Sequence, residues 1–147
     1  MNSDPPTFFR SEEIKNIFGL EKQLTRNYIT TEIFIPTLPS RGPGTPNLFN
    51  LYDMIRVGTI IGLNDLGIPY KKASRLVNEI EPICWQDIKN RESRYLIINA
   101  DKSGHFSGCF FCFSLPYEIE FEDLDNQTKF VVIFDCWKVL DQIENIY

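Results

Sequence analysis

The chain has a single histidine, no glycine-rich loop joining a strand to a helix, and no apolar run of membrane-spanning length. Each shortage removes a class of function. His105 has no serine or cysteine nucleophile with an orienting carboxylate arranged around it, so nucleophile and base chemistry has nothing to build on. Gly42 and Gly44 are separated by Pro43 and precede none of the helix geometry that a phosphate-cradling loop requires. An enzyme is not expected, and no cofactor is implied. Met1 to Arg10 is polar and carries Pro5 and Pro6 where a secretory signal needs an unbroken apolar segment. The expectation is a cytoplasmic protein without membrane association, in which Cys84, Cys109, Cys112 and Cys136 remain thiols.

Cys109 and Cys112 have the separation of a zinc knuckle but lie inside a strand-like run. An odd separation in an extended strand puts the two sulfurs on opposite faces, roughly 10 Å apart, which forbids joint ligation. No second such pair exists, so no metal site is expected.

What is present is ample for folding: 43% hydrophobic and 14% aromatic residues over 147 positions support one average domain or two small ones. Charge divides unevenly. Residues 1–80 hold nine Lys/Arg and eight Asp/Glu, whereas residues 81–147 hold six against twelve. Any polyanion footprint must therefore be a local patch in the first half.

Ser11 is placed to cap a short helix with Glu12 and Glu13 in its first turn and Ile14, Ile17 and Phe18 on one face, ended by Gly19. A second helix is expected from Glu21 to about Thr30, with Leu20, Leu24 and Tyr28 at spacing four and Lys22, Gln23, Arg26 and Asn27 on other faces. Two short helices across a glycine turn make a helix-turn-helix. Pro36 to Pro46 is rich in proline and glycine and reads as a loop or hairpin tip, with Ile33 to Ile35 and Leu48 to Phe49 as flanking strands of a wing. Asn50 and Asp53 resemble a capping box for a third helix through Leu51, Met54, Ile55, Gly58 and Ile61. Gly67 stops it, and Pro69 starts a fourth helix, apolar through Ala73, Leu76, Val77 and Ile80 and basic through Lys71, Lys72 and Arg75.

This order resembles the DNA-binding domain of MerR-type transcription regulators. The family's turn glycine, recognition-helix arginine and tyrosine, following apolar pair and closing proline fall on Gly19, Arg26, Tyr28, Ile33 with Phe34, and Pro36. Its third-helix start falls on Phe49 to Met54, and its glycine break on Leu66 to Tyr70. The chain departs from the pattern with Glu21 and Lys22 for Ser-Pro, Thr25 for an apolar residue, Glu32 for a glycine, and Arg41 alone for the wing's basic dipeptides. The resemblance implies a winged helix-turn-helix that binds double-stranded DNA as a homodimer. Lys22, Gln23 and Arg26 would approach the major groove, and Tyr28 and Arg41 would touch phosphate or sugar. The plain alternative for these five is a solvated surface, with Tyr28 partly core.

Glu81 and Pro82 mark a boundary, and Ile83 to Arg91 reads as a short helix or linker carrying Trp85. Tyr95 to Asn99, Phe106 to Phe113, Tyr117 to Glu122 and Phe130 to Phe134 read as strands of an antiparallel meander. Glu118, Glu120 and Glu122 form an acidic strand face, read as solvated. Asp135 is placed to cap a last helix whose Cys136, Val139, Leu140, Ile143 and Tyr147 would cover one side of the sheet. The expected class is α+β: a MerR-like winged helix-turn-helix over residues 7–80, a linker over 81–93, and a β-rich module over 94–147 for dimerisation, partner or effector binding. An effector pocket among Phe110, Phe113, Phe121 and Trp137 competes with their use as core. The alternative function is a protein-interaction adaptor that keeps the winged-helix fold without DNA binding.

Overall fold

A computed structural model of the chain describes residues 8–100, 106–113 and 130–146. The described residues form six helices and two small antiparallel sheets, an α+β arrangement in two compact units. One unit holds the chain up to Glu81 together with Lys138 onward, and the other runs from Pro82 to Trp137.

In the first unit, β1 (Phe9–Arg10) leads directly into α1 (Ser11–Phe18). Ser11, expected as the cap, is instead the first helical residue, and the cap position is Arg10 with no side-chain bond. The displacement follows from pairing, because Phe9 and Arg10 are opposite Phe49 and Leu48 of β2 (Leu48–Phe49). Gly19, at φ 77°, closes α1 by donating its N–H to the Lys15 carbonyl at 2.8 Å.

Across that turn, α2 (Lys22–Thr30) faces inward with a different stripe from the one expected: Leu24 is 39% exposed and Thr25 only 2%. Leu20 precedes the helix and does not set its rotation. A threonine is tolerated at the buried position because its hydroxyl donates to the Glu21 carbonyl at 3.0 Å and needs no other partner. The helix ends in a Schellman motif, with Ile33 N–H on the Tyr28 carbonyl at 2.9 Å and Glu32 N–H on Ile29 at 3.1 Å. Glu32 occupies the left-handed position, φ 59°.

Ile33 to Ile35 does not form the expected wing strand. β2 pairs with β1 instead, and among the described residues its return pairing is limited to the bridge between Leu38 and Leu48. Pro36 and Pro39 carry no N–H, so this stretch can offer a ladder donor at Leu38 but not at either proline.

The central element is α3 (Leu51–Asp65), buried at Met54, Ile55, Val57, Ile60, Ile61 and Leu63 and packed by α1, by β2 and by α4 (Tyr70–Glu79). Its capping box is complete: Asp53 N–H donates to Asn50 Oδ1 at 2.8 Å, and Asn50 N–H donates to Asp53 Oδ2 at 3.0 Å. Gly67, at φ 99°, ends α3, and α4 buries Ala73 and Val77 while Lys71, Lys72 and Arg75 stay exposed.

The second unit opens with α5 (Pro82–Lys89), whose Trp85 is fully buried with its ring edge-on to Phe111, 5.2 Å between centroids. Its sheet has the order β4-β3-β5, from β3 (Tyr95–Ala100), β4 (Phe106–Cys112) and β5 (Phe130–Asp135). The expected meander is corrected: β5 pairs with β3, on the side away from β4. β3 suits the centre because Leu96 to Ala100 is buried without alternation, the mark of a strand covered on both faces. Tyr117 to Glu122, with the acidic face, lies outside the described residues, as do His105 and Phe121.

Asp135 accepts from the Trp137 N–H at 3.1 Å at the start of α6 (Cys136–Glu144), as a cap should. The last helix, α6, begins in the second unit with Cys136 and Trp137. From Lys138 onward it is part of the first unit, where Val139 lies against Gly58 of α3. Among the described residues no helix is long and apolar enough to cross a membrane.

Candidate functional site

The candidate site is built on α2. At about 100° per residue, a helix anchored inward at Thr25 sends Gln23 and Asn27 to the opposite side and Lys22 and Arg26 to one shoulder. All four are exposed. Gln23 Nε2 donates to Asn27 Oδ1 at 3.2 Å, one turn apart, so the two amides are held together.

The Lys22 and Arg26 shoulder looks into an open cleft of about 590 Å³ between α1, α2 and the loop from Ser40 to Asn47. Lys15 and Asn16 line it from α1, and Ser40 and Asn47 from the loop. Its charge is predominantly positive, with Lys15, Lys22 and Arg26 against Glu12. Among the described residues these three cations enter no salt bridge, which leaves them available to an anion.

The loop is braced from within. Ser40 N–H donates to Asn47 Oδ1 at 2.8 Å, Ser40 Oγ donates to the Thr45 carbonyl at 2.6 Å, and Thr45 N–H donates to the Gly42 carbonyl at 3.1 Å. Its base is tied to α3, because Asp53 Oδ2 also accepts from the Thr37 N–H at 2.9 Å and from the Thr37 hydroxyl. Arg56 donates to the other oxygen of Asp53 at 2.7 Å. One nearly buried carboxylate thus fixes both the start of α3 and the root of the loop.

Of the five residues singled out from sequence, Lys22 and Arg26 share the cleft, Gln23 stands on the outer face beside it, and Arg41 is exposed on the loop outside the lining. Tyr28 is half-buried: its ring stacks on Tyr70 at 4.3 Å and meets Phe34 edge-on at 5.5 Å. Burial, Tyr28 and Asp65, in that order, hold the Tyr70 phenol above the ordinary tyrosine range. Sequence reasoning missed Lys15, which sits on the polar side of α1 and joins the cleft only through the tertiary fold. Asn27 was visible as the i+4 neighbour of Gln23, but its bond was not.

In the second unit the ring of Trp137 has the guanidinium carbons of Arg91 and Arg94 over it at 5.3 and 4.9 Å, and its indole N–H donates to the Ser93 carbonyl at 2.6 Å. Arg94 also grips Asp135 through two bonds of 3.1 and 2.9 Å. This is a structural clamp at the start of α6. Cys112 stands opposite Tyr95 and Cys109 opposite Ile98 in the β4 register, and burial pushes the Cys112 thiol up, away from the thiolate that metal or redox chemistry uses. The chain matches no protein-family profile and no curated protein sequence.

Proposed function

We propose that the protein is a sequence-specific transcription regulator that binds double-stranded DNA through a MerR-like winged helix-turn-helix and works as a homodimer. The observation that carries this reading is the cationic shoulder of α2 facing an open cleft shared with a braced loop, in a chain whose net charge is -5. In this reading α2 is the recognition helix, the loop from Ser40 to Asn47 is the wing, and the cleft between them receives a sugar-phosphate strand. Lys15, Lys22 and Arg26 supply charge to phosphate there, while Arg41 reaches a neighbouring phosphate from the loop. The outer face of α2 is left to meet base edges.

A single short helix reads only a few base pairs, so pairing of two subunits on a two-fold site supplies the remaining affinity and specificity. Selection of bound duplexes from a random pool tests the proposal. The expected result is an enriched inverted repeat. No enrichment over the starting pool contradicts it and favours an adaptor that has the fold without the DNA contacts.

A further inference from the structure

We infer that the hydrogen-bonded pair of Gln23 and Asn27 is an adenine-reading unit, so that each half-site contains an A·T pair facing this point of α2. The inference rests on the DNA-binding reading and adds to it which base is read and by what.

Both residues are exposed and lie on the side of α2 opposite its buried anchor, Thr25. At the C-terminal end of α2 the hydroxyls of Thr30 and Thr31 are turned back on the helix. Thr30 Oγ1 donates to the Arg26 carbonyl at 3.0 Å and Thr31 Oγ1 to the Asn27 carbonyl at 2.9 Å. The amide pair is therefore an outward hydrogen-bonding group of that face that offers both donors and an acceptor.

With Gln23 Nε2 donating to Asn27 Oδ1, the Gln23 carbonyl oxygen and the Asn27 NH2 group are wholly free for an outside partner, beside the second N–H of Gln23 and the second lone pair of Asn27. Adenine presents to the major groove one donor, its N6 amino group, and one acceptor, N7. Each of the two wholly free groups thus has one partner on adenine. Guanine presents two acceptors, N7 and O6, and would set an oxygen against the free amide carbonyl. Cytosine offers only a donor, which leaves the amide NH2 unmet.

The bond at 3.2 Å also holds the two side chains in one arrangement before DNA arrives, which reduces the rotamer entropy lost on binding. Leu24, exposed and three residues before Asn27, adds an apolar contact of the kind that suits a thymine methyl group. Lys22 and Arg26 face the cleft, so base reading and phosphate binding fall on separate sides of one helix.

The test uses the full-length protein and the duplex enriched from a random pool, with affinity read by fluorescence anisotropy. Each A·T pair is changed in turn to G·C, and each adenine to 7-deazaadenine, which removes N7. One position per half-site should lose roughly 10- to 100-fold in affinity on the G·C change and respond also to 7-deazaadenine. The Q23A/N27A variant should bind A·T and G·C equally at that position while keeping the salt dependence that comes from Lys15, Lys22 and Arg26. A wild-type protein with no adenine requirement, or a double variant that keeps the full preference, overturns the inference alone. Failure to bind any duplex in a salt-dependent way overturns it together with the DNA-binding reading.

Discussion

Glu32 and Arg91 are the two non-glycine residues with positive φ among the described residues, at 59° and 58°, and they do the same job with different compensation. Each is the left-handed residue after a helix, where a side chain costs an L-amino acid about 1 to 2 kcal/mol. Arg91 has a cation at the negative end of α5 and its guanidinium 5.3 Å from the centre of the Trp137 ring, both favourable. Glu32 places a carboxylate at the negative end of α2. Glu32→Gly should therefore stabilise the protein by about 1 kcal/mol in urea denaturation, while Arg91→Gly should bring no gain. Asp53 is the opposite case, a carboxylate only 3% exposed that accepts from Asn50, Thr37 and Arg56. Asp53→Ala leaves those donors without their shared acceptor and should cost roughly 2 to 4 kcal/mol, read as a lower denaturation midpoint. Tyr70 gives a pH signature. Its phenol holds its proton more tightly folded than unfolded, so its contribution is intact below the ordinary tyrosine range and is lost as pH rises through and above it. Stability measured between pH 9 and 11 should fall less steeply in Tyr70→Phe.

At the scale of elements, the pieces that sequence revealed were those specified by neighbours in the chain. The capping box at Asn50 and Asp53, the break at Gly67 and the α4 stripe through Ala73 and Val77 depend on spacing of three or four residues. What stayed hidden depends on partners far along the chain. Phe49 pairs with Phe9, the other edge of β2 meets Leu38 rather than Ile33 to Ile35, and β5 pairs with β3 across thirty to forty residues. The inward face of α2 was misread because a threonine, satisfied by its own helix, took the buried place that Leu24 was expected to fill. Gly58 belongs to the same class. It sits at helical spacing like any small core residue, but a Cβ there would lie 2.4 Å from Val139 and 2.7 Å from Phe18. Gly58→Ala should destabilise by about 1 to 3 kcal/mol, and Val139→Ala in the same chain should recover part of that loss. Additive effects in that double-mutant cycle would mean that α6 does not lean on α3 at Gly58.

For the molecule as a whole, an acidic chain with a calculated isoelectric point near 4.9 binds DNA only if its cations are gathered and close, because charges beyond about 8 to 10 Å are screened at physiological salt. Lys15, Lys22 and Arg26 are gathered on one cleft, with Arg41 exposed on the adjoining loop outside its lining; the lone arginine of the loop was legible in sequence and the clustering was not. In the proposed DNA-binding function the acidic bulk would act against non-specific binding and raise the share of discrimination carried by base contacts. Four phosphate contacts per head, as proposed, would give a slope of about -3 to -4 in log affinity against log salt, and twice that for a dimer on an inverted repeat. The most direct measurement is the affinity of wild type and Arg26→Ala for an enriched duplex between 50 and 300 mM salt. Binding should weaken steeply with salt, removing Arg26 should cost roughly 1 to 3 kcal/mol, and the slope should become smaller by about one per subunit. Equal affinities for wild type and variant, or binding indifferent to salt, would contradict the proposed DNA binding.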